Sequence, residues 1–133
     1  MSRPFADTFY FIALLNPGDA AHAAAAEWTD AFDGGLVTTA WVLTELADGM
    51  SAPVARERVG DFIRYLRADI QVEIVPPSET IFEAGISLYE SRPDKHWSLT
   101  DCISFVVMQK HGLTDALTGD HHFEQAGFTA LLK

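Results

Sequence analysis

The chain has 133 residues, 48% hydrophobic and 21% charged, which fits one globular domain (1–133) with one full core and argues against two. Nineteen acidic against nine basic residues give a formal charge of −10, which excludes a protein that grips nucleic acid by bulk charge alone; a polyanionic substrate would need a metal ion or a local basic patch. A lone Cys102 excludes a disulfide framework and makes a reducing cytoplasm the expected compartment, and no apolar run reaches the roughly eighteen residues that span a bilayer.

The apolar run Phe5 to Leu15 carries one charge, Asp7, at the junction of a short strand, Arg3 to Ala6, and a first helix, Thr8 to Leu15. A lone desolvated carboxylate is costly, so Asp7 is expected to face a crevice and to be paired there. Arg3, the run Phe9 to Leu15 and the alanines Ala20 to Ala26 imitate a secretion signal. Asp7 ahead of the apolar segment and the Pro17-Gly18-Asp19 turn after it argue against that reading. Asp19 is expected to cap a second helix to about Phe32, with the stripe Ala21, Ala25, Trp28, Phe32 inward. Gly34-Gly35 end it, and Leu36 to Thr38 form a second strand. Thr39 opens a helix to about Gly49 that buries Val42, Leu43, Leu46 and Met50, with Glu45 at the edge of the buried face.

Ser51 and Pro53 start a helix to Arg67, apolar at Ala55, Val59, Phe62, Ile63 and Leu66, with Arg56, Arg58, Arg64 and Arg67 on its other sides. Val72 to Val75 reads as a third strand stopped by Pro76-Pro77. Ser78 caps a helix carrying Ile81, Phe82, Ile86 and Tyr89 that halts before Pro93. After the loop Arg92 to Trp97, Ser98-Leu-Thr-Asp101 has the form of a capping box with Asp in place of Glu. The helix it opens, Leu99 to His111, is apolar nearly all round and is expected in the middle of the molecule. Gly112 ends it, Asp115 to Thr118 is a fourth strand, Asp120 opens a short helix, and Phe128 to Leu132 is a fifth strand.

Strands alternating with helices predict an α/β fold whose mostly parallel sheet, of four to five short strands, is covered on both faces. In such folds a site lies beyond the carboxyl ends of the strands. Asp7 and Asp120 follow strands there, Asp101 begins the buried helix, and Glu45 can reach inward from its flank. Two carboxylates 4 Å apart repel by about 4 kcal/mol at an effective dielectric near 20, so such a cluster calls for a divalent cation. Plainer readings stand beside this one: Asp101 and Asp120 as helix caps, Glu45 as a solvated edge residue. Asp115 opens a strand and is ranked below these four. His121 and His122 could ligate zinc, yet no Cys or His partner has metal-site spacing, which favours oxygen-bound Mg²⁺ or Mn²⁺. Phosphate loops, nucleophile elbows and dinucleotide fingerprints are absent.

Asp7-Thr8 after the first strand, Thr44-Glu45, Leu99-Thr100-Asp101, and Ala116 to Phe123 followed by Ala126-Gly127-Phe128 together resemble a PIN domain, and more narrowly the VapC-type ribonuclease toxins of toxin–antitoxin pairs. The resemblance covers nearly the whole chain, and its last motif is the most specific. It implies a three-layer α/β/α fold with strand order 3-2-1-4-5 and an acidic quartet of Asp7, Glu45, Asp101 and Asp120. Asp7, Asp101 and Asp120 would be metal ligands, Glu45 would orient or deprotonate a water, and Thr8, Thr118 and Asp115 would support them. It further implies a Mg²⁺- or Mn²⁺-dependent endoribonuclease with a small antitoxin partner and a homodimeric state. Arg56, Arg58, Arg64, Arg67, Arg92 and Lys95 are candidates to guide RNA, and Trp97 to stack a base, although each is equally a solvated surface residue. Two other readings stay open: a PIN-like module that binds RNA or protein without cutting, marked by a groove that holds no metal, and a processing nuclease without an antitoxin, marked by the neighbouring reading frame.

Overall fold

The computed structural model describes residues 3–133. In chain order the elements are β1 (Phe5–Ala6), α1 (Thr8–Leu15), α2 (His22–Ala31), β2 (Leu36–Thr39), α3 (Ala40–Gly49), α4 (Pro53–Ala68), β3 (Val72–Val75), α5 (Glu79–Ser91), α6 (Leu99–Lys110), β4 (Asp115–Leu117), α7 (His121–Gln125) and β5 (Thr129–Ala130). The five strands form one sheet in the order 3-2-1-4-5, and all four pairings are parallel. Helices flank it. The expected topology is therefore present, with no antiparallel edge.

β1 is short because its neighbours on both sides leave it only two residues of ladder. Phe5 pairs with Val37 on one side, and Phe5 and Ala6 pair with Ala116 and Leu117 on the other. Both β1 residues are completely buried, as a central strand requires. Asp7 is the first residue past this strand, and the parallel register puts Thr118, the first residue past β4, beside it. The Asp7 N–H donates to the Leu117 carbonyl at 3.4 Å.

Buried α6 fixes the rest of the site. Cys102, Ile103, Phe105, Val107 and Met108 are at most 2% exposed, and each large apolar side chain so buried contributes roughly 1.5–3 kcal/mol. α5 approaches it closely at Gly85, where a Cβ would stand 2.4 Å from Ile103 Cγ1. Phe105 meets Trp97 edge-on at 5.1 Å and Phe123 edge-on at 5.0 Å, and Phe123 in turn lies 6.4 Å from Phe5. This aromatic chain pins α7 to α6 and β1, and so sets where Asp120 and His122 stand. Across the sheet, Gly35 sits at φ 83° before β2, where a Cβ would fall 2.2 Å from the Gln71 carbonyl oxygen.

Local details differ from the sequence reading, among them the following. Asp19 does not cap α2: its Oδ1 accepts the Ala21 N–H at 2.8 Å, an Asx turn that delays the helix to His22. Ser51 does not cap α4, whose cap position is Ala52, with Pro53 supplying the preset φ of the first turn. α5 turns Phe82 and Tyr89 outward, 38% and 51% exposed, and packs Ile81 and Leu88 inward instead. β5 has two ladder residues because the chain turns at Leu131, whose N–H still bonds Ala116. Among the described residues no helix is long and apolar enough to cross a membrane.

Candidate metal centre at the carboxyl edge of the sheet

Asp7 occupies the cap position of α1 without capping it: no side-chain cap bond forms, and the carboxylate is 6% exposed. Its partner is Thr118, whose hydroxyl donates to Oδ2 at 2.9 Å and accepts the Asp120 N–H at 3.1 Å. One buried threonine thus holds two acids from different elements. Burial raises the Asp7 carboxyl from 3.8 to about 7; the Thr118 and Thr8 hydrogen bonds pull it back, and the charges of Asp101 and Glu45 push it further up.

Asp101 stands in the first turn of α6 through the expected capping box. Ser98 Oγ accepts the Asp101 N–H at 3.0 Å, and Asp101 Oδ2 accepts the Ser98 N–H at 3.1 Å. Burial chiefly raises its carboxyl; the Ser98 N–H counters that, and the Asp120 charge adds to it. Asp120 caps α7, its Oδ1 accepting the His122 N–H at 2.9 Å. Capping and site membership therefore coexist at both residues. Glu45 reaches the cluster from α3, where Thr8 Oγ1 donates to its Oε1, and its charge acts on Asp7. Thr39, which caps α3 through its hydroxyl at 3.1 Å from the Val42 N–H, sets the start of that helix and hence the position of Glu45.

The four acids come from four elements and meet at the carboxyl edge of β1 and β4. Among the described residues no Lys or Arg forms an ion pair with any of them. Hard oxygen donors with no lysine or arginine among them and two raised carboxyls fit a divalent cation. The imidazoles contribute differently from the zinc ligands weighed above. Ligand atoms of Asp120, His121 and His122 lie within 4.8 Å of one another, but the His121 side chain is 63% exposed while His122 turns in toward Asp101. That inward contact depends on how α7 docks against α6, and nothing in the spacing of the sequence records it.

Several expected site residues are placed elsewhere. Asp115 begins β4, at the opposite edge of the parallel sheet from Asp7 and Thr118, so it does not support the cluster. Trp97 is 7% exposed, donates its Nε1–H to Gln125 Oε1 at 3.0 Å and packs on Phe105, which leaves little of its ring open to a base. The Arg92 guanidinium is taken up bidentately by Asp94, two bonds of 3.0 Å, with Lys95 at 4.0 Å from the same carboxylate. Arg92 and Lys95 still line one groove with Tyr89, Glu90, His96, Trp97 and Cys102, the last of these next in the chain to Asp101. On α4, Arg64 pairs with Asp61, Arg56 Nη1 bonds the Ser51 carbonyl at 3.3 Å, and Arg67 lines a groove with Val72 and Pro76. Arg58 is solvent-exposed. Among the described residues none of these four forms an ion pair with an acid of the cluster.

Comparison with known proteins bears on the family and the fold. Residues 5–129 match the sequence model of the PIN domain. The chain is 27% identical over 130 residues to the 23S rRNA-specific endonuclease VapC20 of Mycobacterium tuberculosis, covering 93% of this chain and 94% of that protein. The crystal structure of the same VapC20, a sarcin-ricin loop cleaving toxin, superposes with a TM-score of 0.85 at 26% identity over 94% of this chain and 95% of that one. FitAB bound to a DNA fragment gives a TM-score of 0.70 at 18% identity, over 97% of this chain and 95% of that one, which speaks to the fold alone.

Proposed function

The chain belongs to the PIN domain family, and from that premise we propose that it is a metal-dependent endoribonuclease of the VapC type, the toxin of a toxin–antitoxin pair. The observation that carries this reading is the convergence of Asp7, Glu45, Asp101 and Asp120 on one edge of the sheet: Thr8 bonds Glu45, Thr118 bonds Asp7 and the Asp120 backbone, and Asp7 feels the charges of Asp101 and Glu45.

Nucleases of this family use divalent metal ions, and here Asp7, Asp101 and Asp120 would hold Mg²⁺, with Mn²⁺ as substitute. Bound there, the ion would lower the pKa of a coordinated water and neutralise charge on the phosphoryl oxygens. Thr118 keeps Asp7 oriented, and the capping box keeps Asp101 from rotating into solvent. Glu45, fixed by Thr8, is the free carboxylate that orients or deprotonates the attacking water. In-line attack on an RNA phosphodiester leaves a 5′-phosphate and a 3′-hydroxyl. The groove of Tyr89, Arg92, Lys95 and His96 next to Asp101 is the path assigned to the RNA strand. An overall charge of −10 makes a local guide of this kind necessary. The likeness to VapC20 supports a structured ribosomal RNA loop as substrate, and the VapC class supports a small antitoxin, a homodimer and action in the cytoplasm.

The test is cleavage of a panel of structured and single-stranded RNAs, including a sarcin-ricin stem-loop, with Mg²⁺ or Mn²⁺ against EDTA. Cuts that need metal and vanish in Asp101→Asn are expected. Cuts that persist in that variant would remove the proposed site.

A further inference from the structure

Taking the acids as metal ligands, as proposed above, we infer that His122 is a positioning residue of the metal centre that binds Asp101 and Asp120 together and turns one oxygen of each toward the ion. Its Nδ1 lies 3.2 Å from Asp101 Oδ2 and 3.4 Å from Asp120 Oδ1. Both partners are carboxylates, which accept and do not donate, so Nδ1 carries the hydrogen; it bonds Asp101 and keeps Asp120 within ion-pair distance.

The pattern of engaged oxygens gives this contact its meaning. At Asp101, the Ser98 N–H and His122 Nδ1 both reach Oδ2. At Asp120, the His122 N–H and Nδ1 both reach Oδ1. Asp101 Oδ1 and Asp120 Oδ2 receive no hydrogen bond from the described residues, which leaves one coordinating atom on each acid. A ligating carboxylate whose second oxygen is hydrogen-bonded cannot swing, and such outer partners govern metal affinity nearly as strongly as the ligands do. Ser98 serves Asp101 alone, and the α7 backbone serves Asp120 alone. Among the described residues His122 is the one side chain that ties the acid of α6 to the acid of α7, across 21 residues of sequence. It is held in place: its side chain is 18% exposed, and its neighbour Phe123 is fully buried against Phe5 and Phe105.

A ligand role for the imidazole makes a different forecast. Asparagine places an amide N–H where Nδ1 stands, whereas glutamine carries its amide one methylene further out. A positioning role is rescued by His122→Asn and not by His122→Gln; a coordinating nitrogen is replaced by neither.

The experiment is calorimetric titration of the metal-free chain with Mn²⁺ alone, for wild type, His122→Ala, His122→Asn, His122→Gln and Asp101→Asn, with near-ultraviolet circular dichroism in EDTA as the folding control. His122→Ala and His122→Gln should bind Mn²⁺ about 10–100-fold more weakly, with His122→Asn close to wild type. If the alanine variant does not fold, the asparagine and glutamine pair decides the matter. Wild-type affinity in the alanine or glutamine variant, or an equal loss in all three, overturns the inference. Mn²⁺ binding that is the same in wild type and Asp101→Asn would instead overturn the acidic site on which the inference rests.

Discussion

Replacing Asp7 by asparagine should stabilise the metal-free protein while ending its activity. The carboxyl is buried and raised from 3.8 to about 7, so above neutral pH the folded chain carries a charge that its surroundings disfavour. At ~1.4 kcal/mol per pH unit, the rise amounts to about 4 kcal/mol. The sign follows from linkage. Below about pH 4 Asp7 is protonated in both states and costs nothing; the folded state binds the extra proton between about pH 4 and 7, so stability falls as pH rises through that window and levels off above it. Asparagine is neutral throughout, and its side-chain oxygen still accepts the Thr118 hydroxyl bond. Urea unfolding in EDTA, followed by tryptophan fluorescence from pH 4.5 to 8, should show Asp7→Asn gaining on wild type with each step in pH, toward about 4 kcal/mol at pH 8. Saturating Mg²⁺ or Mn²⁺ should stabilise the wild type and flatten its pH dependence, because a bound cation replaces the proton. A gap that does not change with pH, or an asparagine variant less stable than wild type at pH 8, would refute the reasoning.

Three further outcomes are expected. Glu45→Gln should lower the cleavage rate about 10²–10⁴-fold with metal affinity nearly intact, as calorimetry beside single-turnover kinetics would show; a parallel loss of metal would make Glu45 a ligand instead. Gly35→Ala should cost about 1–3 kcal/mol in urea unfolding, since φ of 83° and the Gln71 carbonyl both oppose a Cβ; a neutral result would mean that the turn before β2 adapts. Trp97→Phe should cost about 1 kcal/mol through the lost bond to Gln125 and leave RNA binding in EDTA unchanged. Weakened RNA binding at unaltered stability would return Trp97 to the RNA surface.

What the sequence disclosed follows from how local each feature is. Asp7 stood out because one charge interrupts an apolar run, and the capping box at Ser98 to Asp101 because its bonds span three residues. The buried helix announced itself by being apolar on every side. Strand order came through the family resemblance and not from any pattern in the strands, two of which are only two residues long. Asp115 was misplaced because a strand's two ends look alike in sequence, whereas in a parallel sheet they face opposite edges. The burial of Trp97 is not legible, because a loop tryptophan among basic residues looks exposed until Phe105 and Gln125 are seen to enclose it. His122 was visible as a histidine beside an acid, but its tie to Asp101 spans the docking of two helices.

The bond from Thr118 to Asp7 closes 111 residues of chain, and this has a consequence for how the activity arises as the protein folds. Helices such as α5 and α6 gain most of their contacts from near neighbours and are able to form early, but the cluster needs β1 and β4 side by side, among the most distant pairings in the molecule. Contacts that close so long a loop come late, after the entropy of the intervening chain has been given up. A half-folded chain therefore has helices and a partial core but no acidic cluster. Nuclease activity therefore depends on completion of the sheet: a chain in which β4 is not paired with β1 has no Thr118 beside Asp7.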